Sequence, residues 1–488
     1  MPATGIKSVR SALVYGVSIL FLVVNGLLIS AGIYWFLLVP IALLIIWLGL
    51  FHMDYLLLLV TFMAPLSVNV PDISFGVGMN LPTEPIMFGV LILFLVRLVS
   101  NQRMPREIMR HPVTIAICAN LLWIFITTLT SEMPVVSLKF LVSRLWFVVG
   151  FYFLGVMIFR NGHRARIFLW LYILATLFVI AFAWSQHIKF QFNEQAAHWV
   201  MNPFYNDHTA YGAALAMFFP FLVANAFRKH LPFDRRMLMV GLLLVYTAAI
   251  VLSYTRATWV SLGVILMLYV LLLLRVRFQY LLGLVGIVIT MFFVFQDQIM
   301  IRMEANRQDS SEKLSEHVQS MYNISTDASN LERINRWKSA FRMFSERPFV
   351  GWGPGTYAFQ YAPFQRSAEL TIISTNAGDK GNAHSEYIGP LAESGVFGVI
   401  SFILIILAGI HTFTRIYFRR SSSVSRNFAT VIFLGWISYL IHGFLNNFLD
   451  TDKASIPFWG FLAILVAIDL YDKQGVKEQL PEVKRSDS

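Results

Sequence analysis

His384 stands in the stretch NAHSEYIGPLAESGVFG (382–398), where a polar segment meets an apolar run long enough to span a bilayer. Three arginines fall on the same membrane face by the topology argued below: Arg256 in SYTRATW, and Arg333 and Arg336 in LERINRWKSAFRMF. Guanidinium forks pair bidentately with phosphate oxygens. An imidazole, with an ordinary pKa of about 6.5, can take a proton from an attacking hydroxyl. The combination suits a diphosphate headgroup on a membrane lipid, the cations stabilising charge that builds on the departing group. So weak a base leaves without a separate general acid, and sugar transfer from a lipid-linked donor fits these parts. Each residue has a plainer role open to it as well: His384 as a helix cap, Arg256 as an interfacial anchor, Arg333 and Arg336 as a solvated face. Their shared location favours chemistry.

If 382–398 is helical throughout, His384, Tyr387, Ile388 and Leu391 form one stripe, at i, i+3, i+4 and i+7. Pro390 then suits the first turn of the entering helix, and Glu393 lies where a helix start favours negative charge. Arg144 lies nine residues into an apolar run that begins near Val135, about 13 Å deep at the helical rise. A charge there costs roughly 2.5–3.5 kcal/mol or more and faces a cavity or a partner. Lys139, about 140° around the same helix, is shallower and can snorkel. In NPFYNDHTAYG, Tyr205, Asn206, Asp207 and His208 either contact a sugar or form a turn and cap, the turn being favoured. His442 with Asn446 and Asn447 reads as a packed polar patch. Asp450 and Asp452 make a D-x-D, a pattern too common to assign to a metal; no metal site is expected, nor any cofactor. No P-loop, strand-linked G-x-G-x-x-G or H-E-x-x-H occurs.

The elements that must position these groups are membrane helices. The 488 residues are 57% hydrophobic and 13% charged, against about 45–50% and 25% in soluble domains. Apolar runs of spanning length occur near 13–30, 32–50, 52–70, 84–100, 112–130, 135–159, 166–186, 208–228, 236–253, 257–275, 279–297, 396–418, 426–446 and 455–471. About 12–14 transmembrane helices are therefore expected. With the N-terminus cytoplasmic, nearly every inner connection is basic: Lys7 and Arg10, Arg103 to Arg110, Arg160 to Arg166, Arg228 to Arg236, Arg275 and Arg277, Arg419 to Arg426, and the tail. The short outer loops carry Asp72, Glu84, Glu132, Glu194, Asp207, Asp450 and Asp452. That asymmetry places both termini inside. It also explains the formal net charge of +11 by membrane lipids, without nucleic acid as a partner. The single cysteine, Cys118, excludes a disulfide framework.

The domains are expected at 1–297 (about eleven membrane helices), 298–395 (a large outer loop domain), 396–471 (about three helices) and 472–488 (a tail). Within the loop, 306–330 reads as a polar connecting stretch. Leu331, Ile334, Trp337, Lys338 and Phe341 mark an amphipathic helix, and GWGPG (351–355) a tight turn. A connection of such length in a membrane protein is usually functional.

In order along the chain, SYTRATW, LERINRWKSAFRMFSERPFVGWGPGTY and the His384–Gly398 segment resemble the O-antigen ligase and O-antigen polymerase family of bacterial envelope enzymes. The resemblance implies an all-α polytopic membrane glycosyltransferase with one large periplasmic loop domain, of GT-C-like architecture, in the bacterial inner membrane. It implies metal-independent, inverting transfer of a glycan from an undecaprenyl-pyrophosphate carrier to a hydroxyl acceptor, on lipid A–core, a growing glycan or a protein. It implies that His384 is catalytic, with Arg256 and Arg333 handling the pyrophosphate. Arg144, Arg336, Lys139, Tyr205, Asn206, His208, Tyr387 and Glu393 are the further candidates for substrate binding. A lipid-linked-oligosaccharide flippase is the rival from another class; it would move the lipid without changing its glycan.

Overall fold

The computed structural model describes residues 3–74, 77–100, 104–229, 231–274, 316–370, 374, 381–419 and 422–478. The expected run at 279–297 and the tail beyond 478 lie outside them. The chain is an all-α polytopic membrane protein. Among the described residues nine helices are long and apolar enough to cross a membrane, with three shorter apolar helices at Val14–Ser30, Trp35–Phe51 and Met53–Leu66.

The chain divides into two units, Met1–Leu59 and Val60–Ser488. The first holds α1 (Ala3–Ser30), a short 3-10 turn (Trp35–Leu38) and α2 (Val39–Phe51), separated at Gly32, whose φ is +78°. A third helix, α3 (Met53–Met63), runs across the boundary.

The second unit departs at once from the expected run at 52–70. After Met63 comes a 3-10 turn with buried Pro65, and then a hairpin of β1 (Val68–Ser74) and β2 (Val77–Leu81). Val68 pairs with Leu81, Asn69 with Asn80 and Val70 with Met79, antiparallel. The β-branched residues that made the window apolar are here strand residues, alternating with Asn69. Helices follow: α4 (Thr83–Val99), α5 (Pro112–Leu129), α6 (Pro134–Phe159), α7 (Gly162–His187), α8 (His208–Ala226), α9 (Phe233–Leu252) and α10 (Arg256–Leu273). After the undescribed stretch come α11 (Glu316–Glu346), α12 (Ile388–Phe418), α13 (Ser423–His442) and α14 (Asp452–Glu478). The backbone is thus already helical from Glu316, within the stretch expected to be only a polar connection.

α14 is the centre of this unit: 83% of its spanning window is buried, against 17% for α9 and 22% for α10, which sit at the periphery. Small residues set the close crossings, as is usual where lipid gives helices no hydrophobic reason to associate. A Cβ on Gly435 would stand 2.2 Å from the Met217 carbonyl oxygen, so α8 and α13 meet backbone to backbone. On Gly409 it would stand 2.6 Å from the Trp436 ring, letting α12 lie against α13, where Phe413 and Phe433 stack at 3.8 Å. At the end opposite the hairpin, Asp469 of α14 is buried. It accepts from Arg419 at 2.8 Å and Arg415 at 3.0 Å, with His111 at 3.3 Å.

Candidate functional site

α11 builds one wall of the site. Ala340 and Met343 are buried on its inner face with Tyr357, Tyr361, Ala383 and Ala392, and Trp352, Phe364 and Ile388 close the cluster. This small core ties α11 to the residues before α12. On the same helix Arg336 is 6% exposed. Its Nε donates to Glu332 at 2.8 Å, and its Nη1 reaches the Asn382 carbonyl at 3.2 Å and His384 Nε2 at 3.3 Å. The guanidinium lies across Gly381, where a Cβ would meet Nη1 at 2.1 Å.

His384 precedes α12 and is not part of the expected helical stripe. Its φ is +46°. Three local hydrogen bonds explain why helix does not continue upstream: Asn382 Oδ1 accepts from the His384 amide, and Ser385 Oγ accepts from the amides of Tyr387 and Ile388. Because a guanidinium only donates, Nε2 of His384 is the acceptor and the ring proton belongs on Nδ1. Burial first, then the charges of Arg336 and Arg333, push the imidazole down to about 3. The ring is therefore neutral at any physiological pH.

On the other side of the 382–386 segment lies a cavity of about 360 Å³. Asn382, Ala383, Ser385 and Glu386 line it; His384, turned onto Arg336, does not. The rest of the wall comes from Asn69 and Asn80 of the hairpin, Phe140 and Arg144 of α6, the segment Phe204–Asp207 with Ala210, then Gly355, Tyr357 and Ala358, Gly389, Pro390 and Glu393 of α12, and Asn447, Phe448, Asp450, Thr451 and Lys453. The volume is within the ~300–1,000 Å³ usual for small-molecule sites.

The turn GWGPG fixes this wall to α12. Gly395, at φ +66° and ψ −169°, breaks the helix and frees carbonyls. The Trp352 amide donates to the Ala392 carbonyl at 3.1 Å, and the Gly353 amide to the Glu393 carbonyl at 2.8 Å. The Val396 amide in turn donates to the Pro348 carbonyl at 2.9 Å. A Cβ on Gly351 would stand 2.3 Å from the Glu393 carbonyl carbon. The Glu393 carboxylate accepts from the amide of Tyr357 at 3.1 Å.

The remaining candidates separate into two groups. Arg144 lines the cavity and pairs with Asp450 at 3.2 Å. Tyr205 and Asn206 line it as well, with Tyr205 fully buried. Asp207 both lines it and caps α8 through the Thr209 amide at 2.9 Å. Burial acts to raise the Asp207 carboxyl, but His208 at 3.0 Å and Thr209 outweigh it and hold the group well below the usual carboxylate range. Arg333 adds its charge to Arg336 beside His384. The others are engaged elsewhere. Lys139 donates to the Gly78 carbonyl of the hairpin at 2.5 Å. Tyr387 stacks on Phe444 at 4.3 Å and donates to the Leu440 carbonyl at 2.9 Å. Arg256 is the exposed first residue of α10 and does not line the cavity. It follows Thr255, whose hydroxyl donates to the His208 carbonyl at 3.1 Å, so α10 starts beside the start of α8.

Sequence reasoning missed Glu386. It is 7% exposed, and its Oε1 accepts from the Tyr439 hydroxyl at 2.6 Å and from the amides of Phe448 and Leu449 at 2.7 and 2.9 Å. Oε2 receives none of these bonds. Burial first, then the nearby Asp450 charge, push the carboxyl up to about 7. An acid two residues from His384 and beside an apolar run was the available signal. The D-x-D does not act as a pair: Asp450 is half-exposed with Arg144, whereas Asp452 is buried and bonded to Ser67, Thr83 and Lys453.

Residues 239–403 match the family model described as O-Antigen ligase, a span that includes Arg256, Arg333, Arg336, His384, Glu386 and Glu393. No curated protein matches the chain. The resemblance read from three short segments thus extends over one continuous stretch, about a third of the chain, that is similar to the O-antigen ligase family.

Proposed function

We propose that the protein transfers a glycan from an undecaprenyl-diphosphate carrier to a hydroxyl acceptor, at the periplasmic face of a bacterial inner membrane and with both termini cytoplasmic. The observation that carries this reading is the contact of His384 Nε2 with Arg336 at 3.3 Å, under the added charge of Arg333, beside a polar cavity in the family-matched stretch.

In this reading the diphosphate is held by Arg333 and Arg336, with Arg256 reaching it from the exposed start of α10. The acceptor oxygen attacks the anomeric carbon from the face opposite the diphosphate. The bond from that carbon to the diphosphate oxygen breaks, so the configuration inverts. The hydroxyl proton goes to His384 Nε2, and the lipid diphosphate leaves with the bonding electron pair. Alone, His384 is too weak a base, because two arginine charges oppose its protonation. A bound diphosphate offsets those charges and competes for the Arg336 Nη1 donor, returning the Nε2 lone pair and part of its basicity. The donor thereby switches on the base. Charge-assisted arginine bonds stabilise the leaving group, and no metal is required.

The test is transfer in vesicles containing the purified protein and a lipid-diphosphate-linked oligosaccharide, followed by mass analysis of the products. His384→Ala should abolish transfer while the protein still inserts and folds. Movement of intact lipid-linked glycan across the bilayer with no new glycosidic bond would replace this reading with transport.

A further inference from the structure

The arginines beside His384 suit the negative charge of a departing diphosphate, but they do nothing for the opposite charge. As a sugar separates from its leaving group, positive charge builds on the anomeric carbon and ring oxygen. Arg333 and Arg336 oppose that charge, and the neutral ring of His384 does not offset it. A counter-charge has to come from another wall.

Glu386 stands where one is needed. It lies two residues from His384 and lines the cavity on the other side of the 382–386 segment. Three donors converge on its Oε1: the Tyr439 hydroxyl at 2.6 Å and the amides of Phe448 and Leu449 at 2.7 and 2.9 Å. The carboxyl is thereby held by protein groups before any substrate arrives, and Oε2 is left for the cavity. The two cations on the cavity wall are engaged elsewhere, Arg144 with Asp450 and Lys453 with Asp452, while Asp207 and Glu393 on the same wall are acids. Of the charges that reach Glu386, Asp450 outweighs Arg144, and together with burial it pushes the carboxyl up to about 7. Near neutrality both forms are therefore present, and in mild alkali the group is ionised. A carboxylate so poorly solvated gains most when a positive charge appears in front of it. The intact donor sugar carries none, so the gain falls on the transition state.

We infer that Glu386 is a catalytic carboxylate whose Oε2 faces the anomeric centre and stabilises the positive charge formed there as the diphosphate leaves. The inference rests on the glycosyl-transfer reading and adds a second catalytic group to it. No bond forms to Glu386. The carbon–oxygen bond to the diphosphate breaks and its electron pair departs with the lipid; the acceptor oxygen bonds to the carbon, and its proton goes to His384 Nε2.

The experiment uses the full-length protein in mild detergent, with farnesyl-diphosphate-linked glucose as donor and methyl glucoside as acceptor. Donor affinity and single-turnover release of farnesyl diphosphate are measured against pH. Glu386→Gln keeps an oxygen for Tyr439 and the two amides but carries no charge. In mild alkali it should turn over roughly 10²-fold more slowly than the wild type, the order expected for one preorganised electrostatic group, with donor affinity within about twofold. As pH falls through about 7 the wild type should lose this advantage, while the variant shows no step there. Tyr439→Phe keeps the charge but removes a bond that favours the ionised form, so it should move the wild-type step to higher pH. An unmoved step, an equal slowing of Glu386→Gln at every pH, or a loss of donor affinity overturns the inference in favour of a structural role. Wild-type turnover by Glu386→Gln overturns it and leaves the transferase reading standing. A glycosyl adduct trapped on Glu386 also overturns it, because the carboxylate would then be a nucleophile and the configuration retained. Wild-type protein that releases no farnesyl diphosphate at any pH removes the transferase reading, and the inference with it.

Discussion

Glu386 should make the stability of this protein depend on pH in a direction opposite to that of an ordinary salt-bridged carboxylate. Its folded-state pKa is raised from the ordinary 4.5 to about 7, with burial as the main cause and the Asp450 charge next. For an acid raised in the folded state, the stabilisation is complete below the unfolded value and is lost as pH climbs through the folded one. The window is therefore about pH 4.5 to 7. At about 1.36 kcal/mol per unit, the loss is roughly 3 kcal/mol. Glu386→Gln retains an acceptor for the Tyr439 hydroxyl and the two backbone amides but cannot ionise. Thermal unfolding in mild detergent, followed by tryptophan fluorescence from pH 4.5 to 8, should show the two proteins diverging, with the variant gaining on the wild type as pH rises. Parallel curves would mean that the carboxyl titrates at an ordinary value, and the account of its burial would fall. Glu386→Ala is a separate case. It orphans the Tyr439 hydroxyl proton and the Leu449 amide, each at about 1–3 kcal/mol, while the Phe448 amide keeps the Tyr439 oxygen at 3.1 Å, and it should destabilise at every pH.

Arg336→Met should cost about 3–5 kcal/mol by breaking the buried pair with Glu332, measured by denaturation. It also removes the larger of the two charges that hold His384 down, so the base moves back toward its ordinary value of about 6.5. In the proposed mechanism the neutral ring is the active form, so any residual transfer by Arg336→Met should fall off in acid at a higher pH than in the wild type; coincident pH–rate profiles would refute the coupling. Gly395→Ala combines a strained φ of +66° with a Cβ 2.1 Å from the Phe349 carbonyl oxygen. It should lower the unfolding temperature and the transfer rate together, whereas Gly263→Ala, with nothing within 4 Å, should change neither. Chelation with EDTA should leave transfer unchanged, and a loss restored by magnesium would overturn the metal-free mechanism.

The membrane helices were legible because an 18-residue apolar window with few charges has few other uses in a chain this hydrophobic. The run at 52–70 misled for a physical reason. Val68 and Val70 count toward hydropathy, but Pro65 and the strand pairing of Asn69 with Asn80 end the helix and begin a hairpin. The asparagines it sends to the cavity were therefore invisible. The stripe through His384 failed similarly, because Asn382 and Ser385 spend their side chains on local amides and stop the helix at Ile388. What composition could reveal was which cations and carboxyls the site had to draw upon. It could not reveal that Lys139 and Tyr387 are committed to the Gly78 and Leu440 carbonyls.

The arrangement of GWGPG against α12 bears on why a polar site can stand so close to a membrane helix. A helix start leaves amides without partners, and a break within a helix leaves carbonyls without them; in hydrocarbon either is costly. Here the break at Gly395 is matched by the turn. Trp352 and Gly353 donate to the carbonyls of Ala392 and Glu393, Pro348 accepts from Val396, and the indole of Trp123 donates to the Ser394 carbonyl at 2.8 Å. The carbonyls of Ala392, Glu393 and Ser394 and the amide of Val396 thus have protein partners at the break. The same bonds hold Gly355–Ala358 and Glu393 as adjoining walls of the cavity, while the Tyr357 hydroxyl donates to the Arg336 carbonyl at 2.7 Å. One turn therefore bonds to the broken helix, seats one wall of the cavity and connects it to the helix that carries the arginines. Strain at Gly395 and the relative position of the two compartments are then not independent. A change that lets the helix close should separate the arginines from the cavity before it unfolds the bundle.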